Sequence, residues 1–420
     1  MSVRGAAFLG IGAMVGAGIF ALLGEVGAVA GSAVWLSFLL AGVVAVLLGY
    51  NVVKLGVRYP SSGGLIAYLL QGFGNGRLVG IASWLGYFSA IVIVCSMVAV
   101  AFGSYATSLF VGDDAAAGWD NVFATLIVVA MAAINLVGSR FVDRAQSAIV
   151  VLLLAVFAVF IAVTFFDIDW DLLVFGGYPP FSDVIASIAL TFFAYLGFSV
   201  ITFAVGDLRD PARELPKAMY LALAVTAATY VLIALGVFGT LSVEEVTGYG
   251  ETAIAEAARP ALGTAGFTIM AVAALLATAS SVNATLYASG GLTATLAEVG
   301  QFPPLFGRGS RLGPHAGMLI TAAIVLVVSN LVDLSAIASV GSACSLMIFL
   351  LVGVAGHRLR SETGARDAVV LLGVAANAVV LVFFAVDTLR NAPQTFAAIV
   401  VIAALAVLLD FLWKRARPTP

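Results

Sequence analysis

Apolar runs long enough to cross a bilayer recur along nearly the whole of this 420-residue chain. A membrane helix needs about 20 consecutive apolar residues. Twelve such spans are readable, with soft edges: 6–30, 33–56, 79–111, 121–138, 146–166, 183–206, 218–240, 264–291, 317–332, 334–356, 367–387 and 394–413. The stretch 317–356 also reads as one bent hairpin, broken near Ser329-Asn330 and Asp333. The chain is 62% hydrophobic and 10% charged, with mean hydropathy +1.14. Ordinary soluble domains are about 25% charged, so no soluble domain is expected here. Lipid leaves no partner for a free backbone group, and spans of this length and continuity are helical. The expected fold is an all-α membrane protein of twelve transmembrane helices.

Basic residues collect in cytoplasmic loops. With both termini inside, all but two of the 19 basic residues fall in inner loops or tails, the exceptions being Arg259 and Arg390. The outer loops are acidic, with Asp113, Asp114, Asp120, Asp167, Asp169, Asp171, Glu244, Glu245, Glu251 and Glu256. This lopsidedness supports an even span count and cytoplasmic N- and C-termini in the cell membrane. The net charge of −3 is then a property of the outer face and gives no reason to expect a nucleic-acid partner. The first apolar segment is too long for a cleavable signal and lacks a cleavage site. Cys95 and Cys344 lie in different spans, which argues against a structural disulfide. The largest outer loop, 241–263, has room only for a small helical cap. The basic tail Lys414-Arg415-Ala416-Arg417 suits lipid headgroups, and spans 11 and 12 carry no polar motif, so they pack outside the core or form a dimer face. The chain can work as a monomer or a homodimer.

Ionisable residues inside a membrane are functional candidates by default, and here they are scarce. Glu25, Lys54, Asp183, Asp207, Asp387 and Asp410 sit near span ends, and His315 and His357 fall in inner loops. Membrane haem, metalloprotease and serine-hydrolase chemistries all need a buried His or acid partner, so an enzyme, a cofactor and a resident metal are not expected. A potassium-type channel would need a carbonyl-filter run or acidic rings. The composition leaves a protein that handles a small solute with backbone groups and hydroxyls.

Two spans contain glycine at helix-breaking positions. The first carries Gly12-Ala13-Met14-Val15-Gly16-Ala17-Gly18. Glycine tolerates unwinding and close approach, although Gly12 and Gly16 also form a small-xxx-small packing face. The sixth carries Phe193-Ala194-Tyr195-Leu196-Gly197, about 180 residues later. Each break opens a group of five spans, and an odd number inverts the second group. The expected units are 1–166 (spans 1–5), 183–356 (spans 6–10) and 367–413 (spans 11–12). Inverted repeats place substrate at the midplane between discontinuous helices. Free N–H groups and the positive dipole end suit a carboxylate, and free carbonyls suit an ammonium group. A zwitterion therefore needs no charged side chain. Tyr195 and Phe193 read equally as core aromatics or as substrate-facing groups.

The stretch Gly10-Ile11-Gly12-Ala13-Met14-Val15-Gly16-Ala17-Gly18-Ile19-Phe20 resembles the first-helix motif of the amino acid–polyamine–organocation (APC) transporters. Arg58-Tyr59-Pro60-Ser61-Ser62-Gly63-Gly64 is similar to that family's Pro-x-x-Gly-Gly inner loop, Gly206-Asp207 through Leu215-Pro216 to its acidic Pro-ended loop after span 6, and Gly300-Gln301-Phe302-Pro303-Pro304-Leu305-Phe306 to its loop after span 8. The resemblance implies a LeuT-like five-plus-five inverted repeat with discontinuous helices 1 and 6, alternating access, and amino acids or related amines as substrates. It implies that amides of Gly16, Ala17 and Gly18 meet the substrate carboxylate. Carbonyls near Ile11 and Gly12, in the stretch that includes Ala13 and Met14, and along Phe193, Ala194 and Tyr195 would meet the ammonium group. Gly197 would make room for the side chain and Phe193 would act as a gate. Tyr87, Asn283 and Thr285 are further pocket candidates. The chain departs from the family in three places: Ile149 to Leu153 is apolar where some proton-coupled members carry Lys, Ser289-Gly290-Gly291 lacks the Arg that often follows the span-8 serine, and Ser199 stands where an acid is common.

Coupling stays open at this stage. Ser280 and Ser281 are candidates for a Na+ site, since hard cations favour oxygen ligands, although such hydroxyls also bond back to their own helix. Glu25 and Asp207 are candidates for proton coupling or gating. Asp207 lies ~15 Å past Gly197 along a helix, beside Arg209 and Arg213, which favours a gating ion pair. The uncharged midplane favours neutral amino acids over cationic ones. The alternatives are an exchanger without ion coupling and a non-transporting membrane sensor of the same fold.

Overall fold

The computed structural model describes residues 2–61, 64–112, 118–137 and 142–416. The side chains of Ala17, residues 142–147, Ala204, Asp207 and Ala416 lie outside the description. The gating expectation for Asp207 and the inner-loop Ser62-Gly63 motif therefore fall outside the described residues.

Every regular element among the described residues is helical. The chain begins with α1 (Val3–Ala17) and α2 (Ile19–Ala30), separated by Gly18 alone, and continues with α3 (Val34–Arg58), α4 (Gly64–Phe73) and α5 (Arg77–Tyr87). A π-helical turn, Phe88–Ile93, joins α5 to α6 (Val94–Phe110). Then come α7 (Trp119–Val137), α8 (Val142–Phe166) and α9 (Phe181–Tyr195). The line of α9 runs on as a 3-10 helix, Leu196–Asp207, before α10 (Pro211–Phe238). Two short helices, α11 (Val243–Tyr249) and α12 (Ala253–Glu256), form a cap. The chain closes with α13 (Arg259–Glu298), α14 (Ala316–Leu331), α15 (Leu334–Arg358), α16 (Arg360–Thr363), α17 (Asp367–Asn391) and α18 (Pro393–Ala416). The stretch read as either two spans or a bent hairpin is two helices, α14 and α15, joined through Val332 and Asp333.

Ten helical segments among the described residues are long and apolar enough to cross a membrane, with α2 and α3 counted as one of them. Val3–Gly16, Gly64–Phe73 and Ala316–Leu331 are shorter apolar helices. Burial separates centre from periphery. The α5–α6 segment and α15 are each 78% buried across their apolar windows, against 28% for α17 and 11% for α18. Large apolar side chains such as Val137 (92% exposed) and Phe166 (90%) face outward, as a bilayer-solvated surface requires.

The interior is held by polar stitches as well as apolar packing. The hydroxyls of Ser37 on α3 and Thr191 and Ser187 on α9 link at 2.9 and 2.8 Å. Asn135 on α7 donates to Asn283 Oδ1 on α13 at 2.8 Å. Ser345 on α15 donates to Ser89 in the π turn at 3.2 Å. Such bonds matter in a membrane because the hydrophobic effect does not drive helices together there.

The cap closes one end of the bundle. Ser242 and Glu245 form a capping box at the start of α11, the Ser242 N–H donating to the Glu245 carboxylate at 2.8 Å. These bonds hold the Glu245 carboxyl below its usual range. Val246 of α11 lies against α2 at Gly27. At the opposite end, α18 docks onto the turn before α5 and the loop after α13. Lys414 bonds Asp410 at 2.8 Å and the Gly76 carbonyl at 3.0 Å, and the Trp413 indole donates to the Gly300 carbonyl at 3.0 Å.

Candidate functional site

The two glycine interruptions lie against each other. A Cβ on Gly197 would stand 2.5 Å from the carbonyl carbon of Ala13 and 2.5 Å from the Met14 nitrogen. A Cβ on Gly18 would stand 2.6 Å from the Ala194 Cβ and 2.7 Å from the Tyr230 hydroxyl. Gly197, in the 3-10 segment, meets a regular turn of α1, and Gly18, between α1 and α2, meets the last turn of α9. Real Cβ atoms do not approach that closely, so a side chain at either position must displace its neighbour.

The interruption in the first helix is narrower than its sequence leads one to expect. Residues 12–17 are helical, and only Gly18 (φ −93°, ψ −68°) falls between α1 and α2. The other glycines of the motif serve close packing. Gly10 faces the Ile201 side chain, and Gly16 faces the Ala277 carbonyl at 3.0 Å and the Ser281 Cβ at 3.2 Å. The change in the sixth span is larger. The α-helix ends at Tyr195, and the next twelve residues are 3-10. Runs of 3-10 helix beyond three or four residues are uncommon, and in mid-helix they mark hinges or strain.

Most of the candidates from the first and sixth spans gather here. Ile11, Met14, Phe193, Ala194 and Tyr195 are buried, as are Gly12, Gly16 and Gly18, and Ala13 and Gly197 are half-buried. Ala17 belongs to the same turn by its backbone. The Phe193 ring packs on Gly341 of α15, at 2.6 Å from where a Cβ would lie, with Ile93 of the π turn alongside. The glycine face of α15 and the π turn therefore meet at this ring. Tyr195 is committed to α3, its hydroxyl donating to the Phe38 carbonyl at 2.9 Å. Tyr230 donates to the Ala194 carbonyl at 3.3 Å, close to the edge of the 3-10 segment.

The remaining candidates are elsewhere. Tyr87 hydrogen-bonds Thr321 on α14 at 2.8 Å and lines an apolar cavity of about 430 Å³ with Trp84, Phe306 and Trp413. Asn283 is taken up by Asn135 of α7, and Thr285 is half-buried two residues further along α13. Ser281 does reach the first helix at Gly16, and Ser280, its neighbour, is half-buried. Glu25 lies higher on α2, below the cap. The sequence reading had no means of finding Tyr230, Gly341 or the π turn. Tyr230 shares its apolar span with Tyr220 and nothing in the sequence singles it out, and Phe88–Ile93 has no composition that distinguishes a π turn from an α-helix. The serines at 335, 339, 342 and 345 do recur at helical spacing beside Gly341, and that was a usable signal.

Comparison with known proteins agrees with this architecture. The family described as amino acid permease matches residues 1–408. The inner membrane transport protein YbaT of Escherichia coli is 30% identical over 407 residues, covering 97% of this chain and 94% of its own. The serine/threonine exchanger SteT of Bacillus subtilis is 27% identical, covering 70% of this chain and 67% of its own. In fold, the chain is similar to the crystal structure of a manganese transporter mutant from Eremococcus coleocola. The TM-score is 0.64 at 14% identity, over 98% of this chain and 92% of that one. The packed glycine interruptions are thus those of a multi-pass membrane transporter, and the chain belongs to the amino acid permease family.

Proposed function

We propose that the protein is a secondary transporter for neutral amino acids in the cell membrane. The observation that carries this reading is the mutual packing of Gly197 on Ala13–Met14 and of Gly18 on Ala194. It sets the 3-10 segment, at Gly197, on a turn of α1, and sets Gly18, the residue between α1 and α2, on the last turn of α9. In this reading twelve segments span the bilayer, with α1–α2 and α9 plus its 3-10 continuation as the two interrupted spans. Residues 1–166 and 183–356 form the two inverted halves, 367–413 adds the last two spans, and the cap lies outside with both termini inside.

The substrate carboxylate would meet amides at Gly16, Ala17 and Gly18 in a state in which that turn opens, since the Gly18 N–H here donates to the Met14 carbonyl at 3.0 Å, and its ammonium group would meet carbonyls of the α1 turn at Ile11 and Gly12 and of Phe193–Tyr195. Phe193 would act as the gate, since its ring fills the space between α9, α15 and the π turn. None of the described side chains at the meeting point is charged, which favours a zwitterion without a charged side chain. The printed name of SteT, a serine/threonine exchanger, agrees with that class. Two couplings fit the structure. Ser281 and the Ala277 carbonyl converge on Gly16, where a sodium ion could join helix to helix, and Glu25 under the cap could carry a proton.

Uptake of labelled amino acids into proteoliposomes, with and without sodium and proton gradients, tests the reading. Accumulation of a neutral amino acid that collapses with one gradient identifies a symporter and its ion. Uptake only into preloaded vesicles identifies an exchanger. No uptake of any amino acid by folded protein overturns the proposal in favour of a sensor.

A further inference from the structure

An apolar cavity of about 430 Å³ lies between α5, α14 and α18, and its lining includes neither glycine interruption. Its walls are Trp84 and Phe88 from α5 and the π turn, Phe306 from the loop after α13, Ile324 from α14, and Leu409 and Leu412 from α18. Only apolar atoms face it. The Tyr87 hydroxyl is committed to Thr321 and the Trp413 N–H to the Gly300 carbonyl. Trp84 stacks on Phe302 at 3.9 Å, which backs the inner wall. The outer wall is more open: Leu412 is 53% exposed, and Ile324 and Leu409 are half-buried. The helix that supplies this wall, α18, is among the least buried of the bundle, so the cavity gives onto the lipid-facing side.

The elements around the cavity end in a basic rim. Trp84 follows Arg77, the first residue of α5, by seven positions, about 10 Å along the helix. The Arg77 guanidinium lies over the Phe411 ring of α18, 5.5 Å from its centre. Lys414 joins Asp410 to the Gly76 carbonyl at 2.8 and 3.0 Å. A Cβ on Gly80 would collide with the Asp410 carboxylate, so the end of α18 is seated directly on α5. Asp410 is buried and carries Lys414 as its counter-charge. Arg77 and Arg415 are exposed, as are Arg308 and Arg311 in the loop that follows Phe306. Against them stands one exposed acid on the same helix ends, Glu298 at the close of α13. Trp413 beside Lys414 is the pairing that helix ends carry at the level of lipid headgroups.

We propose that this cavity holds an acyl chain of an anionic phospholipid whose headgroup sits on the basic rim. Water finds no hydrogen-bond partner on apolar walls and does not fill such a space. Left empty, the space would deprive every atom that lines it of its contacts on one side, and its volume falls in the range of ligand pockets, about 300–1,000 Å³. A zwitterionic amino acid would lose its hydration there with nothing in exchange, which sets the cavity apart from a solute site. Hydrocarbon matches the walls, and the open side admits a chain without the lipid leaving its leaflet. Charge selects the headgroup. Four exposed arginines against one exposed glutamate attract a phosphate that has no cation of its own. The site belongs to the protein as a membrane protein, whatever solute it carries, and so stands apart from the transporter reading.

The test uses the full-length protein in nanodiscs of phosphatidylcholine with a trace of phosphatidylglycerol that carries a diazirine in one acyl chain. Irradiation should place adducts on Trp84, Phe306 and residues 409–413, in excess over the exposed face of α17. At a fixed trace of label, replacing half of the phosphatidylcholine by unlabelled phosphatidylglycerol should cut these adducts about threefold, the result of an about fivefold preference for the anionic headgroup. Arg77→Ala combined with Arg415→Ala should abolish that response. Ile324→Trp fills the space and should remove the adducts from protein that still unfolds cooperatively, and Leu409→Phe makes the same comparison should the first variant fail to fold. Adducts no denser at the cavity than on α17, or unchanged by the added phosphatidylglycerol, overturn the proposal. Adducts that persist in a folded filling variant overturn it as well. Their loss on raising the number of protein copies per nanodisc identifies a second copy of the chain as the occupant and likewise overturns it.

Discussion

Gly197 and Phe193 carry the residue-scale consequences. Any side chain at Gly197 must displace the α1 backbone at Ala13–Met14, because a Cβ would stand only 2.5 Å away. Overpacking of this kind costs about 1–3 kcal/mol, which a large helical bundle survives. Gly197→Ala should therefore leave a folded protein, by thermal unfolding, while lowering uptake at least about tenfold. Phe193→Ala removes the ring that packs on Gly341, and it should raise substrate exchange rates while weakening apparent affinity. Tyr87→Phe removes one hydrogen bond to Thr321, worth about 1 kcal/mol. Because Tyr87 lines the apolar cavity away from the glycine interruptions, that variant should keep native apparent affinity, measured by uptake at varied substrate concentration.

The helices themselves were legible from hydropathy because lipid demands long, continuous apolar segments, and their edges moved by up to seven residues, at the start of α10 and the end of α13. The interruption at the first helix was harder to read. Gly12, Gly16 and Gly18 look alike in sequence, yet Gly16 is used for packing against Ala277 and Ser281, and only Gly18 leaves the helix. A glycine four residues from another serves close approach or unwinding, and which of the two is decided by the partner helix. The same limit hid the bond between Asn135 and Asn283. Both asparagines are conspicuous in their spans, but their pairing is a long-range fact. Asn283→Ala should lower stability by about 1–3 kcal/mol through the Asn135 amide left unpaired, with substrate affinity unchanged in the same uptake series. At the cap, Ser242→Ala removes the box that starts α11, a loss of about 1 kcal/mol, and should speed hydrogen exchange across 243–249 without touching the bundle.

For the whole molecule, the irregular geometry gathers beside the buried helix α15, and the last two helices lie outside. The π turn Phe88–Ile93, Gly18 and the first half of the 3-10 segment, up to Thr202, lie in or beside the buried interior, while α17 and α18 are largely exposed. Irregular backbone inside a membrane persists only where protein or a cavity satisfies it, and that is the ground on which a binding site is proposed there. The central claim is that this point, and not the pocket around Tyr87 or the asparagine tie, holds substrate. Concentration-dependent uptake by Gly197→Ala and Asn283→Ala, side by side in the same vesicles, tests it directly. The account predicts that Gly197→Ala loses transport with its fold intact, and that Asn283→Ala keeps native apparent affinity at reduced stability. Native apparent affinity in Gly197→Ala, or its loss in a stably folded Asn283→Ala, would contradict it.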